Sequence, residues 1–240
     1  MRYNWNWPVV VTEPYLGWIL SGFAWTLLVA VAGWIIAFSL GSVIGIARTV
    51  KQPIVRLVAG GFVEVFRNVP LLVQMFLWYF VLPEVVPRSI GIWLKRGLAH
   101  AEFWTAVVCL GIYTACRVAE QVRSGIGAVS KGQSYAGLAT GLRPYQVYRH
   151  ILLPVAYRII VPALTTEFLS IFKNSSLALT IGVIELTGTT RKISELSAQP
   201  IEMFLTATAL YGFVTLSVTA LMRLVEARSR VPGLIVTETT

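Results

Sequence analysis

Between Glu13 and Arg48 the chain carries no charged residue, and PYLGWILSGFAWTLLVAVAGWIIAFSLGSVIGIA runs unbroken from 14 to 47. A helix rises about 1.5 Å per residue and a bilayer's hydrocarbon is about 30 Å thick, so roughly 20 apolar residues suffice to cross it. The stretch is therefore long enough for a span and an interfacial lead-in, and it predicts a first span at about 18–47. The same reading predicts spans at about 60–82, 103–122, 159–184 and 203–222, the last lying between Glu202 and Arg223. Backbone in hydrocarbon must satisfy its own hydrogen bonds, so the expected class is all-α, with five membrane helices in one domain over 1–240. Composition agrees: 56% of residues are hydrophobic and 13% charged, about half the charge of an ordinary soluble domain.

Lys and Arg outnumber acids 20 to 11, and every acid is Glu. Long apolar runs separate the basic residues, which favours an anionic membrane face over nucleic acid. Arg48, Lys51, Arg56, Arg123, Lys131, Arg143, Arg149, Arg158, Arg223, Arg228 and Arg230 fall on one side of the five-span scheme. Arg2, Arg88, Lys95, Arg96, Arg191 and Lys192 fall on the other. The positive-inside rule then predicts an N-terminus outside and a C-terminus in the cytoplasm, together with residues 123–158. The first residues lack the order of a secretory signal, and Trp5, Trp7, Tyr15 and Trp18 suit an interfacial belt, so the first span is expected to stay in the mature protein. Cys109 and Cys116, seven apart on one helix face, read as packing residues.

The segment SYAGLATGLRPYQVYRHILLP, 134–154, has local order that a random loop lacks. Ser130 followed by Gln133 fits a capping box, Gly141 suits a left-handed terminator, and Pro144 suits the first position of a second helix. Pro154 is expected to end that second helix. The result would be a knob of two short helices over about 130–153, with Tyr135, Leu138, Tyr145 and Tyr148 for apolar surface and Arg143 and Arg149 for charge. From the residues alone, resting on lipid headgroups and docking a partner protein fit equally.

This segment resembles the cytoplasmic coupling motif of ABC importer permeases: a Glu-Ala-Ala triplet, three residues, Gly, nine residues, then Ile-x-Leu-Pro. Tyr135, Ala136 and Gly137 occupy the triplet, Gly141 follows, and Ile151, Leu153 and Pro154 complete the pattern; Tyr135 stands where the family has Glu. EVFRNVPLLVQ (64–74), TACRVAEQVRSGI (114–126) and IFKNSSLALTIGVIEL (171–186) are similar to stretches of the polar amino acid branch. With YLGWILSGFAWTL near the start, the chain is most similar to the glutamate/aspartate importer permeases. The resemblance implies the type I importer permease fold in a bacterial inner membrane and a second, related permease subunit. It also implies two ATPase subunits that bind ATP and Mg, a periplasmic binding protein that delivers the amino acid, and no cofactor in this chain. Consistent with a non-catalytic subunit, there is no G-x-x-x-x-G-K-[ST] loop, and His100 and His150 are expected in loops as non-ligands.

Ionisable residues inside spans need a partner or a role. Arg117 and Glu120, three apart, suit mutual neutralisation, while Glu167 and Lys173 suit pairing with another span. Arg117 has a sharper reading. The branch commonly has Tyr at this position, and a guanidinium matches the extra carboxylate of an acidic substrate. The candidate substrate path is thus Arg117, Glu120, Glu167, Lys173, Asn174 and Ser175, with Ser176 beside them. Import of glutamine, asparagine or histidine is the alternative on substrate. A secondary transporter would show paired repeats, which five unequal spans lack, and an intramembrane enzyme would need a clustered catalytic set that the sequence does not supply.

Overall fold

A computed structural model describes residues 3–229, and within them every regular element is helical. Arg2 and Arg230, which enter the charge count, lie outside the described residues. Four helices are long and apolar enough to cross a membrane, and a pair of helices bent at a short break makes a fifth if the two are taken together as one span.

Helix α1, Tyr15–Ala47, has 33 residues and spans about 50 Å. It stops at the two charges that bracket the uncharged stretch. Its main partner is α5, Ala101–Ala128. Gly33, Ala37, Gly41 and Gly45 recur every fourth residue, which puts them on one face of α1. A Cβ on Gly41 would lie 2.7 Å from the Ala115 carbonyl oxygen, and one on Gly45 would lie 2.8 Å from that of Ala119. The two backbones therefore touch, the close approach that small residues allow between membrane helices. Cys109 and Cys116 are free and buried, in the packing role expected of them.

The second expected span, 60–82, is not one helix. Helix α2, Pro53–Asn68, and α3, Leu71–Val85, meet at a 100° bend. The cause is Pro70: the residue before a proline is pushed out of the helical region, and Val69 is extended at φ −94°, ψ 128°. The bend leaves α2 carbonyls without helical partners. The buried Gln74 amide meets one of them, donating to Phe66 O at 2.6 Å, and also donates to Val69 O at the bend at 2.8 Å. A short helix over 88–97, α4, then leads into α5.

Helix α6, Lys131–Ala139, forms as expected, but the next boundary does not. Helix α7 runs without interruption from Pro144 to Ile181, so neither the stop at Pro154 nor the fresh start at 159 occurs. Tyr148–Leu152 is wound as a π turn in which the Leu153 N–H reaches back five residues to the Tyr148 oxygen. This widening makes room for the proline ring, which would otherwise strike the carbonyl four residues before it. His150, expected in a loop, therefore lies inside α7. The helix ends at Gly182, φ 98°. Helices α8, Leu186–Ser197, and α9, Pro200–Ser229, complete the described chain. At the end of the bundle away from α6, Glu202 is fully buried and accepts from Asn6 N–H at 2.7 Å and from the Tyr3 hydroxyl.

Candidate functional site: the helical knob and the intramembrane charges

The knob is built by local signals. The Ser130 hydroxyl accepts from Gly132 N–H at 3.3 Å, so the cap forms one residue earlier than a capping box requires. At the other end Gly141 is left-handed, φ 87°, and the N–H groups of Leu142 and Gly141 bond Gly137 O and Leu138 O at 3.2 and 3.0 Å. This paired closure is a Schellman motif, which satisfies the last carbonyls of α6. Arg143 N–H then donates to the Gln146 side chain at 2.8 Å, capping α7 behind Pro144.

The underside of the knob is part of the protein core. Val147, Leu152 and Ala156 pack with Val118, Val122 and Ile126 of α5. The Tyr148 hydroxyl donates to Thr49 O at 3.0 Å, tying the knob to the turn after α1. Gly137, third in the triplet, is buried where α6 meets α7; a Cβ there would lie 2.5 Å from Ile151 Cδ1. The outer surface is the reverse. Tyr135 is 66% and Tyr145 64% exposed, with Leu138 beside them, and Ala136, Arg143, Arg149 and Pro154 are exposed as well. Ile151 and Leu153 are half-buried. Exposed aromatic and apolar side chains on a base packed into the core, with two exposed guanidinium groups on the same segment, are what a docking surface needs.

The charges inside the spans pair differently from the sequence expectation. Arg117 and Glu120 do not neutralise one another. Glu120 lies 2.6 Å from Arg48, 3.0 Å from Arg123 and 3.5 Å from Arg67, so one carboxylate collects three guanidinium groups from α5, α2 and the end of α1. Arg117 instead donates to the Tyr113 hydroxyl at 2.9 Å and stands 3.8 Å from Glu167 on α7. Glu167 thus pairs with another span, as expected. At 3.8 Å the contact is an ion pair without a hydrogen bond, and the buried Glu167 Oε2 makes none. The Arg117 side chain is 45% exposed at mid-helix. A charge there costs about 2.5 kcal/mol or more against lipid, so this face of α5 belongs against water or another protein.

Lys173 is not brought to Arg117. Six residues of helix turn through about 600°, leaving Glu167 and Lys173 about 120° apart. Among the described residues Lys173 has no ion pair, and it lines a separate groove of about 600 Å³ with Ser176, Thr208, Tyr211 and Thr215. Asn174 is half-buried. Ser175 does not line that groove: it is fully buried, and its hydroxyl donates to Phe172 O at 2.7 Å where α7 tightens into a 3-10 turn.

Sequence reasoning missed Glu185. It is fully buried, caps α8 by accepting from Thr187 and Gly188 N–H at 3.0 Å, and takes bonds from Tyr211 at 2.8 Å and Thr26 at 3.2 Å. It therefore joins α1, α8 and α9. The available signal was an acid placed after the helix-stopping Gly182 and directly before the next helix.

The family described as binding-protein-dependent transport system inner membrane component matches residues 37–231. The glutamate/aspartate import permease GltJ of Escherichia coli K12 is 42% identical over 97% of this chain and 98% of that protein. The glutamate/aspartate import permease GltK of Escherichia coli O6:H1 is 29% identical over 95% of this chain and 99% of that protein. A crystal structure of an amino acid ABC transporter with histidines superposes with a TM-score of 0.79, at 29% identity over 94% of this chain and all of that one.

Proposed function

The chain belongs to the family of inner membrane components of binding-protein-dependent transport systems, and on that premise we propose that it carries glutamate and aspartate as the membrane-crossing subunit of an ATP-driven importer. As a family member it is a multi-pass inner-membrane permease subunit. The observation that carries the substrate assignment is the 42% identity to GltJ over nearly the whole of both chains.

In this reading a second, related permease subunit completes the path, and two ATPase subunits holding ATP and Mg dock on the knob from the cytoplasm. A binding protein delivers the amino acid from the periplasm, where the N-terminus lies. Tyr135, Leu138 and Tyr145 seat in the ATPase, and Arg143 and Arg149 steer the contact. Because the knob's underside is continuous with the core at Val118 and Val122, a push on it moves α5 and α7 as one body. Arg117 receives the substrate's side-chain carboxylate. Its donors not used on Tyr113 remain available, since Glu167 is too far to take one. Lys173 and Ser176 line a separate polar groove.

The test is competition uptake by the assembled importer, with unlabelled aspartate, glutamate, glutamine and histidine against labelled glutamate. Aspartate and glutamate should displace the label and the other two should not. Glutamine or histidine competing as well as glutamate would overturn the substrate assignment.

A further inference from the structure

At the end of α5 remote from the knob, α4 is laid across the end of α3. The crossing is tight: a Cβ on Gly91 would lie 2.1 Å from the Pro83 carbonyl oxygen. Between α3, α4 and the first turns of α5 lies a half-open cavity of about 570 Å³, within the usual range for small-molecule sites. Trp78, Trp93, Trp104 and Leu98 form its apolar wall, and Lys95 and Arg96 supply its charge. No carboxylate lines it. Lys95 is shared with Glu84, whereas Arg96 has no ion pair among the described residues.

We propose that this cavity binds an anionic phospholipid of the phosphatidylglycerol type. Its phosphodiester would sit at Lys95 and Arg96, and an acyl chain would lie along the tryptophans and Leu98. Three features favour this occupant. Indole rings settle at the headgroup level of a bilayer, and three of them line one cavity at the end of a spanning helix. Glu84 already balances Lys95, so the uncompensated charge at the cavity is the Arg96 guanidinium, which matches a phosphodiester and repels an ammonium. Apolar walls also fit a chain better than a small water-soluble anion.

Native mass spectrometry of the full-length chain, in micelles holding equal phosphatidylglycerol and phosphatidylcholine of the same acyl chains, tests the site. Phosphatidylglycerol should be retained at least fivefold over phosphatidylcholine. The preference should vanish in Lys95→Gln/Arg96→Gln, persist in Arg96→Lys, and give way to weaker retention of both lipids in Trp104→Ala. Melting in neutral micelles identifies any unfolded variant, and Arg96→Gln alone, which breaks no ion pair, should then still lower the ratio. Equal retention of the two lipids by the unaltered chain overturns the proposal, as does a preference that survives the double substitution. Displacement of the lipid by glycerol phosphate would mean a site for soluble anions, and loss of the preference in the assembled importer would mean that a protein partner covers the cavity; either result also overturns it.

Discussion

Replacing Gly41 by Ala should loosen the central helix pair. The new Cβ would sit 2.6 Å from Val118 Cβ and 2.7 Å from the Ala115 oxygen. Carbon contacts settle at about 3.5 Å, so α1 and α5 must part by about 1 Å. The obstacle is backbone as well as side chain, so no rotamer change relieves it. Overpacking of this kind costs about 1–3 kcal/mol, and the better helix propensity of Ala returns up to ~1 kcal/mol. A net loss of about 1–2 kcal/mol is expected, read as a lower midpoint when the chain is unfolded by dodecyl sulfate in mixed micelles and followed by circular dichroism. Gly45→Ala meets the same neighbour one turn along. The double variant should therefore lose less than the sum, because one separation relieves both contacts. Gly61→Ala on α2 is the control, since nothing lies within 4 Å of its added Cβ and it should be neutral or slightly stabilising. An unchanged midpoint for Gly41→Ala, or an equal loss for Gly61→Ala, would refute the reasoning.

Gly141→Val should uncouple ATP hydrolysis from uptake in the assembled importer. At φ 87° with open space around it, the cost is backbone conformation, about 1–2 kcal/mol for an L-residue and more with β-branching, so Gly141→Asn should be much milder; normal coupling in the Val variant would sink the knob's role. Arg117→Tyr should weaken glutamate uptake at least tenfold in apparent affinity, and unchanged affinity would remove Arg117 from the path. Glu185→Ala leaves the N–H groups of Thr187 and Gly188 without their acceptor and removes one partner each from Tyr211 and Thr26, which keep Thr187 Oγ1 and Gly22 O, a loss of about 3 kcal/mol. Glu185→Gln, which keeps an oxygen, should lose less in the same micelle unfolding, and equal midpoints for the two variants would contradict the network.

Much of the fold was legible because hydropathy and capping are local. The uncharged stretch 14–47 and α1 agree to within a residue, since a charge is what stops a helix from sliding further into lipid. The turn at Gly141 was legible because few residues tolerate a left-handed backbone and a proline followed three positions later. The α2–α3 bend was not, although Pro70 was in plain view: hydropathy sums composition and is blind to direction. Pro154 misled in the opposite sense, because a π turn absorbs a proline that single-sequence rules treat as a stop. In the candidate path, the residue types were readable but the pairing was not. Arg117 and Glu120 are neighbours on α5, yet the partners of Glu120 include Arg48, 72 residues away, and such distances carry no sequence signal.

By itself, then, the sequence determined the solvent of this protein, its all-helical class, and the place and bend of its knob. Those properties depend on transfer energies and backbone preferences that each residue carries with it. Only the tertiary structure decided that α1 and α5 touch through glycines, that Glu120 rather than Arg117 is the charge hub, that Ser175 is core, and that three tryptophans and two basic residues line one cavity. Each of these is a matter of which helix faces meet, and the energy of a contact exists only once both faces are in place.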